Sequence, residues 1–159
     1  MKKTIEVFSE EETRELGKQL GLHAKPGTVF CLQGDLGTGK TVLAKGMAEG
    51  LGVQEDILSP TFMIVREYKS GRLPFAHFDV YRLEEGDELY EIGWEEYLGL
   101  DGVILVEWAD LMSDVMPGDA VWIRVTKNLA EGTDYRRIEI ASEDSAAEDL
   151  LLDSLFPRA

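Results

Sequence analysis

TVFCLQGDLGTGKT, residues 28–41, is the stretch on which the fold turns. Its first part is a short apolar run rich in β-formers, and the rest, Gly34 to Thr41, fits G-x-x-x-x-G-K-[ST] at every fixed position. TVLAKGMAEGL follows with Val42, Leu43, Met47 and Leu51 at helical spacing, which predicts a helix from Lys40 to about Leu51. Strand, glycine loop and helix in that order make a phosphate cradle. Glycines let consecutive backbone N–H groups wrap around phosphate oxygens, and the helix N-terminus adds partial positive charge. Lys40 reaches the β- and γ-oxygens, and Thr41 offers a hydroxyl to Mg2+. A side chain on Gly37 or Gly39 would obstruct the wrap. A glycine turn that merely precedes Lys-Thr is the plainer reading, but the strand before it and the amphipathic helix after it argue for nucleotide binding.

Such a loop needs a carboxylate on a neighbouring strand, holding the metal directly or through water, at the carboxyl edge of the sheet where ligands bind in open α/β folds. Residues 103–110, VILVEWAD, open with an aliphatic run that stops at Glu107. A strand buried on both faces that surfaces at an acid meets the requirement, so Glu107 is assigned to Mg2+. Asp79, near the end of LPFAHFDVY, is the rival on a less uniformly apolar strand. Taken singly, each acid also reads as an ordinary strand-end residue, because functional acids are recognised by geometry. His77 could serve as a base, but a histidine in a half-apolar strand is more often a packed residue with a satisfied ring nitrogen.

Elsewhere, Ser9 followed by Glu12 is a capping-box pattern, and Leu16 and Leu20 recur at helical spacing, so a first helix is expected from Glu10 to about Leu20, with Gly21 at its end. Residues 61–68 and 73–79 read as two strands joined by KSGR, a hairpin. LEEGDELYEIGWEEYLG reads as helical despite two internal glycines. AVWIRVT and RRIEIAS alternate like exposed-edge strands, and AAEDLLLDSLF closes as a helix. The expected fold is a three-layer α/β/α arrangement on a mixed, partly parallel sheet.

The chain of 159 residues, 44% hydrophobic, is long enough for one sizeable core, so residues 1–159 are expected to form one domain. A formal net charge of −15 argues against a surface that grips phosphate backbones, so no independent nucleic-acid binding is expected. A single cysteine, Cys31, sits inside an apolar run and reads as a buried small hydrophobe suited to a reducing compartment. No apolar stretch approaches the roughly 18 residues of a membrane span, and MKKTIEVFSEEE turns acidic where a signal peptide needs an apolar core. These features predict a cytoplasmic protein with no membrane partner.

GDLGTGKT, then SPTF at 59–62, HFDVYRL at 77–83 and VEW at 106–108, in that order and spacing, resemble the TsaE (YjeE) family, small bacterial ATPases of tRNA threonylcarbamoyladenosine biosynthesis. The resemblance implies a P-loop ATPase, weak by itself, that works with the TsaB and TsaD proteins. Together they place a threonylcarbamoyl group on the adenosine next to the anticodon of tRNAs reading codons that begin with A, with tRNA handled by the partners. It also implies site residues: Asp35, Leu36, Gly37, Thr38, Gly39, Lys40 and Thr41 on ATP, and Thr41 and Glu107 on Mg2+. Ser59, Pro60 and Thr61 would form a switch-like segment responding to the γ-phosphate, Asp79 would orient the attacking water, Trp108 would lie beside the nucleotide or partner site, and Glu10 to Thr13 would lie near the base. Position 38 is Thr where the family often has Ala, a variable place in the loop. SPTF also reads as a proline turn opening a strand, and Trp108 as a large core aromatic.

Two other functions share the loop. A small-molecule kinase would carry Arg or Lys on a lid, yet ADLMSDVMPGDA after the metal strand has no base, leaving Arg66, Arg72 or Arg82 to serve from elsewhere. A guanine-nucleotide switch would ordinarily carry N-K-x-D, and TKNL at 126–129 lacks the order and the acid.

Overall fold

The computed structural model describes residues 2–34, 39–58 and 64–142. Seven strands form one sheet: β1 (Lys2–Val7), β2 (Val29–Gln33), β3 (Val65–Tyr68), β4 (Phe75–Asp79), β5 (Val103–Glu107), β6 (Val121–Thr126) and β7 (Arg136–Ala141). Their spatial order is β1-β7-β6-β2-β5-β4-β3. The four central strands β6, β2, β5 and β4 run parallel, and antiparallel pairings add β7 and β1 on one side and β3 on the other. The sheet is therefore mixed, with helices on both faces.

One face is covered by α1 (Glu10–His23) and α2 (Lys40–Gly50), whose Leu16, Leu20, Leu43 and Met47 bury against Phe30, Leu32, Leu105 and Ile123. The other carries α3 (Gly86–Glu91), α4 (Trp94–Leu98) and a 3-10 segment, Ala109–Val115, packed on Cys31, Phe78, Ile104 and Val106. β2 and β5 have aliphatic side chains on both faces because both are covered, which is why they read as unbroken apolar runs.

Four expectations change. The first helix passes through Gly21 to His23; Gly21 is buried inside it, and the helix stops where Arg72 Nη2 donates to the carbonyls of Gly21, Leu22 and Ala24 at 2.6, 2.9 and 2.8 Å. Those are carbonyls a helix end leaves unsatisfied. The stretch from Leu83 to Gly99 is two short helices, broken at Gly93, whose φ of 104° leaves the right-handed helical region. AVWIRVT and RRIEIAS are interior strands, each paired on both sides; they alternate because only their α1/α2 face is fully buried. The edge on that side is β1, a strand not expected from the sequence, whose alternation shows only at Ile5 and Val7. The closing helix expected within AAEDLLLDSLF lies outside the described residues.

Candidate phosphate and metal site

The cradle sits where β2 hands over to α2. Ser9 caps α1 by accepting from Glu12 N–H at 3.1 Å, whereas α2 has no side-chain cap: its N-cap is Gly39 at φ 93°, a conformation that favours glycine. The N-terminus of α2 therefore has no side chain at its N-cap to accept from its first turn. Lys40, first in the helix, is buried, and its Nζ donates to the Gly34 carbonyl at 2.7 Å. Thr41 follows with an exposed side chain. Asp35, Leu36, Gly37 and Thr38 lie outside the described residues.

Strand pairing brings the two acids together. β4 and β5 are parallel and in register, with Asp79 opposite Glu107 and Leu32 of β2 opposite Glu107 on the other side. Because side chains alternate along a strand, Asp79 and Glu107 share a face with Phe75, Val103 and Leu105, the face that α2 covers. Both are nearly buried, 7% and 6% exposed, at the carboxyl edge where Lys40 begins its helix. The acids treated as rivals in the sequence are neighbours in the fold. Asp79 Oδ1 accepts from Tyr81 N–H at 3.0 Å, and its own N–H donates to the Ile64 carbonyl at 2.8 Å. Ile64 has φ 67°, a strained setting for a β-branched residue, and it is the first described residue after the SPTF stretch. Ser59, Pro60 and Thr61 themselves lie outside the described residues.

Trp108 is half-buried rather than a core aromatic. At φ 61° it leaves β5 in the left-handed region, and its ring lies under Lys40 Nζ at 3.5 Å from the centroid and against Tyr81 at 4.8 Å. A cation over the face of an indole is attracted by the ring quadrupole. Lys40, Glu107, Asp79 and Trp108 therefore converge. Glu10 does not join them: it opens α1, exposed, with no hydrogen bond or ion pair to any of the four.

Tyr81 and Arg136 were not singled out in the sequence, and His77, read there as a packed residue with a satisfied ring nitrogen, is one, with Glu107 as the partner that reading did not name. His77 Nε2 lies 2.6 Å from Glu107 Oε2; the signal for it is its place two residues before Asp79, hence on the same face. Tyr81 packs on Trp108. Arg136 Nε is the described atom that a Cβ on Gly39 would meet, at 3.8 Å, and no local pattern marks an arginine so distant in sequence. Arg72, a candidate lid base for a kinase, is committed to the end of α1.

Among the described residues no group of three or more His, Cys, Asp or Glu could hold a metal ion by itself. Mg2+ is usually bound through one or two protein oxygens completed by phosphate and water. Glu107 could offer such an ion a carboxylate and Thr41 a hydroxyl. No helix among the described residues is long and apolar enough to cross a membrane.

A mixed sheet with a strand, glycine loop and lysine-initiated helix at its carboxyl edge, faced by two strand-end acids, defines an α/β protein of the phosphate-loop class. Residues 7–138 match the family model described as threonylcarbamoyl adenosine biosynthesis protein TsaE, and the chain belongs to that family. It is 44% identical over 140 residues to the tRNA threonylcarbamoyladenosine biosynthesis protein TsaE of Bacillus subtilis, covering 88% of this chain and 85% of the relative. The TsaE of Treponema pallidum is 39% identical over 84% of this chain and 96% of its own. A crystal structure of Bacillus subtilis YdiB superposes with a TM-score of 0.82 at 36% identity, covering 98% of this chain and 94% of that one.

Proposed function

We propose that the protein is a Mg2+-dependent ATPase that supports threonylcarbamoyl modification of the adenosine next to the anticodon in tRNAs reading codons that begin with A, acting in the cytoplasm with TsaB and TsaD. The observation that carries the ATPase reading is the meeting of Lys40, Asp79 and Glu107 at one edge of the sheet. Family membership carries the pathway.

The residues divide the work. Backbone amides of Asp35 to Gly39 and the first turn of α2 would bind the phosphates, and Lys40 would leave the Gly34 carbonyl and the Trp108 ring for the β- and γ-oxygens. Thr41 and Glu107 would hold Mg2+, which neutralises charge on the phosphate oxygens. Asp79 would orient water toward the γ-phosphate, and Thr61 would report that phosphate to the 59–62 segment. Trp108, and more remotely Glu10, would contact the nucleoside end or a partner. Asp79 is tied to Ile64, the exit of that segment, so a partner that reshapes the segment would also align the acid, giving slow turnover alone and faster turnover in the complex. With a net charge of −15, tRNA would be held by the partners.

The test is hydrolysis of ATP and GTP with and without TsaB and TsaD, alongside candidate phosphate acceptors. Slow ATP hydrolysis raised by the pair, without acceptor phosphorylation, is expected. Phosphate transfer to an acceptor, or no affinity for ATP-magnesium even in the full assembly, overturns the reading.

A further inference from the structure

His77 is shielded almost completely, 1% exposed, with its ring stacked on Phe75 at 6.2 Å. On β4 it stands opposite Leu105, one alternate position behind the Asp79–Glu107 pair and on the same face. From there Nε2 reaches Glu107 Oε2 at 2.6 Å, while Nδ1 is buried with no hydrogen-bond partner among the described residues. A proton on Nδ1 would be a buried donor with nothing to meet among the described residues, its desolvation uncompensated. A proton on Nε2 instead meets an acceptor. Glu107, nearly buried itself, gains a partner for one oxygen, and its second oxygen makes no hydrogen bond to a described residue. A lysine or arginine here would also satisfy the carboxylate, but its fixed charge would compete with a cation for the same oxygens.

We propose that His77 is a positioning residue: carrying its proton on Nε2, it fixes one oxygen of Glu107 so that the other is presented to the metal bound with the nucleotide. The inference rests on Glu107 being the magnesium carboxylate. Side chains that hydrogen-bond a metal's direct ligands commonly set its affinity, and their loss costs about 10–100-fold. Packing alone would make no demand on the Nε2 donor.

Two measurements test it on the full chain. In the metal-free protein, nitrogen–proton correlation spectra of the His77 ring should place the proton on Nε2; a proton on Nδ1 overturns the proposal. In the second, Mn2+ is titrated by electron paramagnetic resonance in the presence of ADP, with ADP affinity in EDTA measured separately. His77→Met should weaken Mn2+ binding about 10–100-fold and leave metal-free ADP binding unchanged. His77→Gln, whose amide nitrogen reaches a similar place, should restore most of the affinity. If His77→Met does not fold, His77→Asn, whose amide stops short of Glu107, carries the same expectation. Unchanged Mn2+ affinity in the donor-less variant, or equal loss in His77→Gln, overturns the positioning role. The magnesium reading itself fails separately, if Glu107→Gln binds Mn2+ as the wild type does.

Discussion

Gly21 of α1 lies so close to α2 that a Cβ built on it would overlap the carbonyl oxygen of Met47. Gly46 meets the Arg14 carbonyl in the same way, and Gly17 and Gly50 face the carbonyls of Leu43 and Lys18. Two glycines spaced four apart on each helix thus bring the backbones together, and α2, which begins with Lys40, is set on the sheet through this seam. Gly21→Ala and Gly46→Ala should each destabilise the fold by about 1–3 kcal/mol or more, since overpacking against main chain has no side chain to move aside. Urea unfolding checks this, with Gly118→Ala as a control because nothing lies within 4 Å of its built Cβ.

Lys40→Ala should abolish ATP binding or hydrolysis, because its ammonium is the cation at the head of the cradle. Asp79→Ala should spare binding and lower hydrolysis by about 100-fold or more, the scale of a group that positions or activates the nucleophile. Equilibrium binding and single-turnover rates separate the two, and full activity in Asp79→Ala would remove its proposed role.

Lys40 Nζ sits over Trp108, so the indole reports where the lysine is. In a Trp94→Phe, Trp122→Phe background, Lys40→Met should change Trp108 emission without nucleotide, and ATP should move the wild-type spectrum toward that of Lys40→Met. Identical emission from the two proteins would show that lysine and ring do not meet in solution.

Burial raises the Cys31 thiol from 9.0 to about 12. In the folded state it stays protonated, and unreactive, through neutral and mildly alkaline pH. Labelling with a thiol reagent at pH 8 should therefore follow unfolding. The unfolded thiol ionises first as pH rises past its ordinary value, so the unfolded state then binds fewer protons and stability should fall between about pH 9 and 12. Rapid labelling in the absence of denaturant would contradict the burial.

The chemistry legible in the sequence lay in consecutive residues. Gly34 to Thr41 and VILVE each carry their meaning within one loop or strand, and the flanking apolar periodicity supplies the context. β1 escaped because six residues with two buried side chains make a weak pattern. The strands at 121–126 and 136–141 looked like edges because alternation reports how many faces are buried, whereas an edge depends on backbone pairing. Gly21 looked like a helix end because a missing side chain fits a terminus as well as a close helix crossing.

By itself, the sequence determined that a strand, a glycine loop and a lysine-headed helix occur in order and that an aliphatic strand ends in an acid, because local spacing and side-chain type encode those features. Only the tertiary structure decided that Asp79 stands opposite Glu107, that His77 reaches the same carboxylate, and that Trp108 lies beneath Lys40. Those relations depend on strand register and helix placement, which are set by the packing of the whole core.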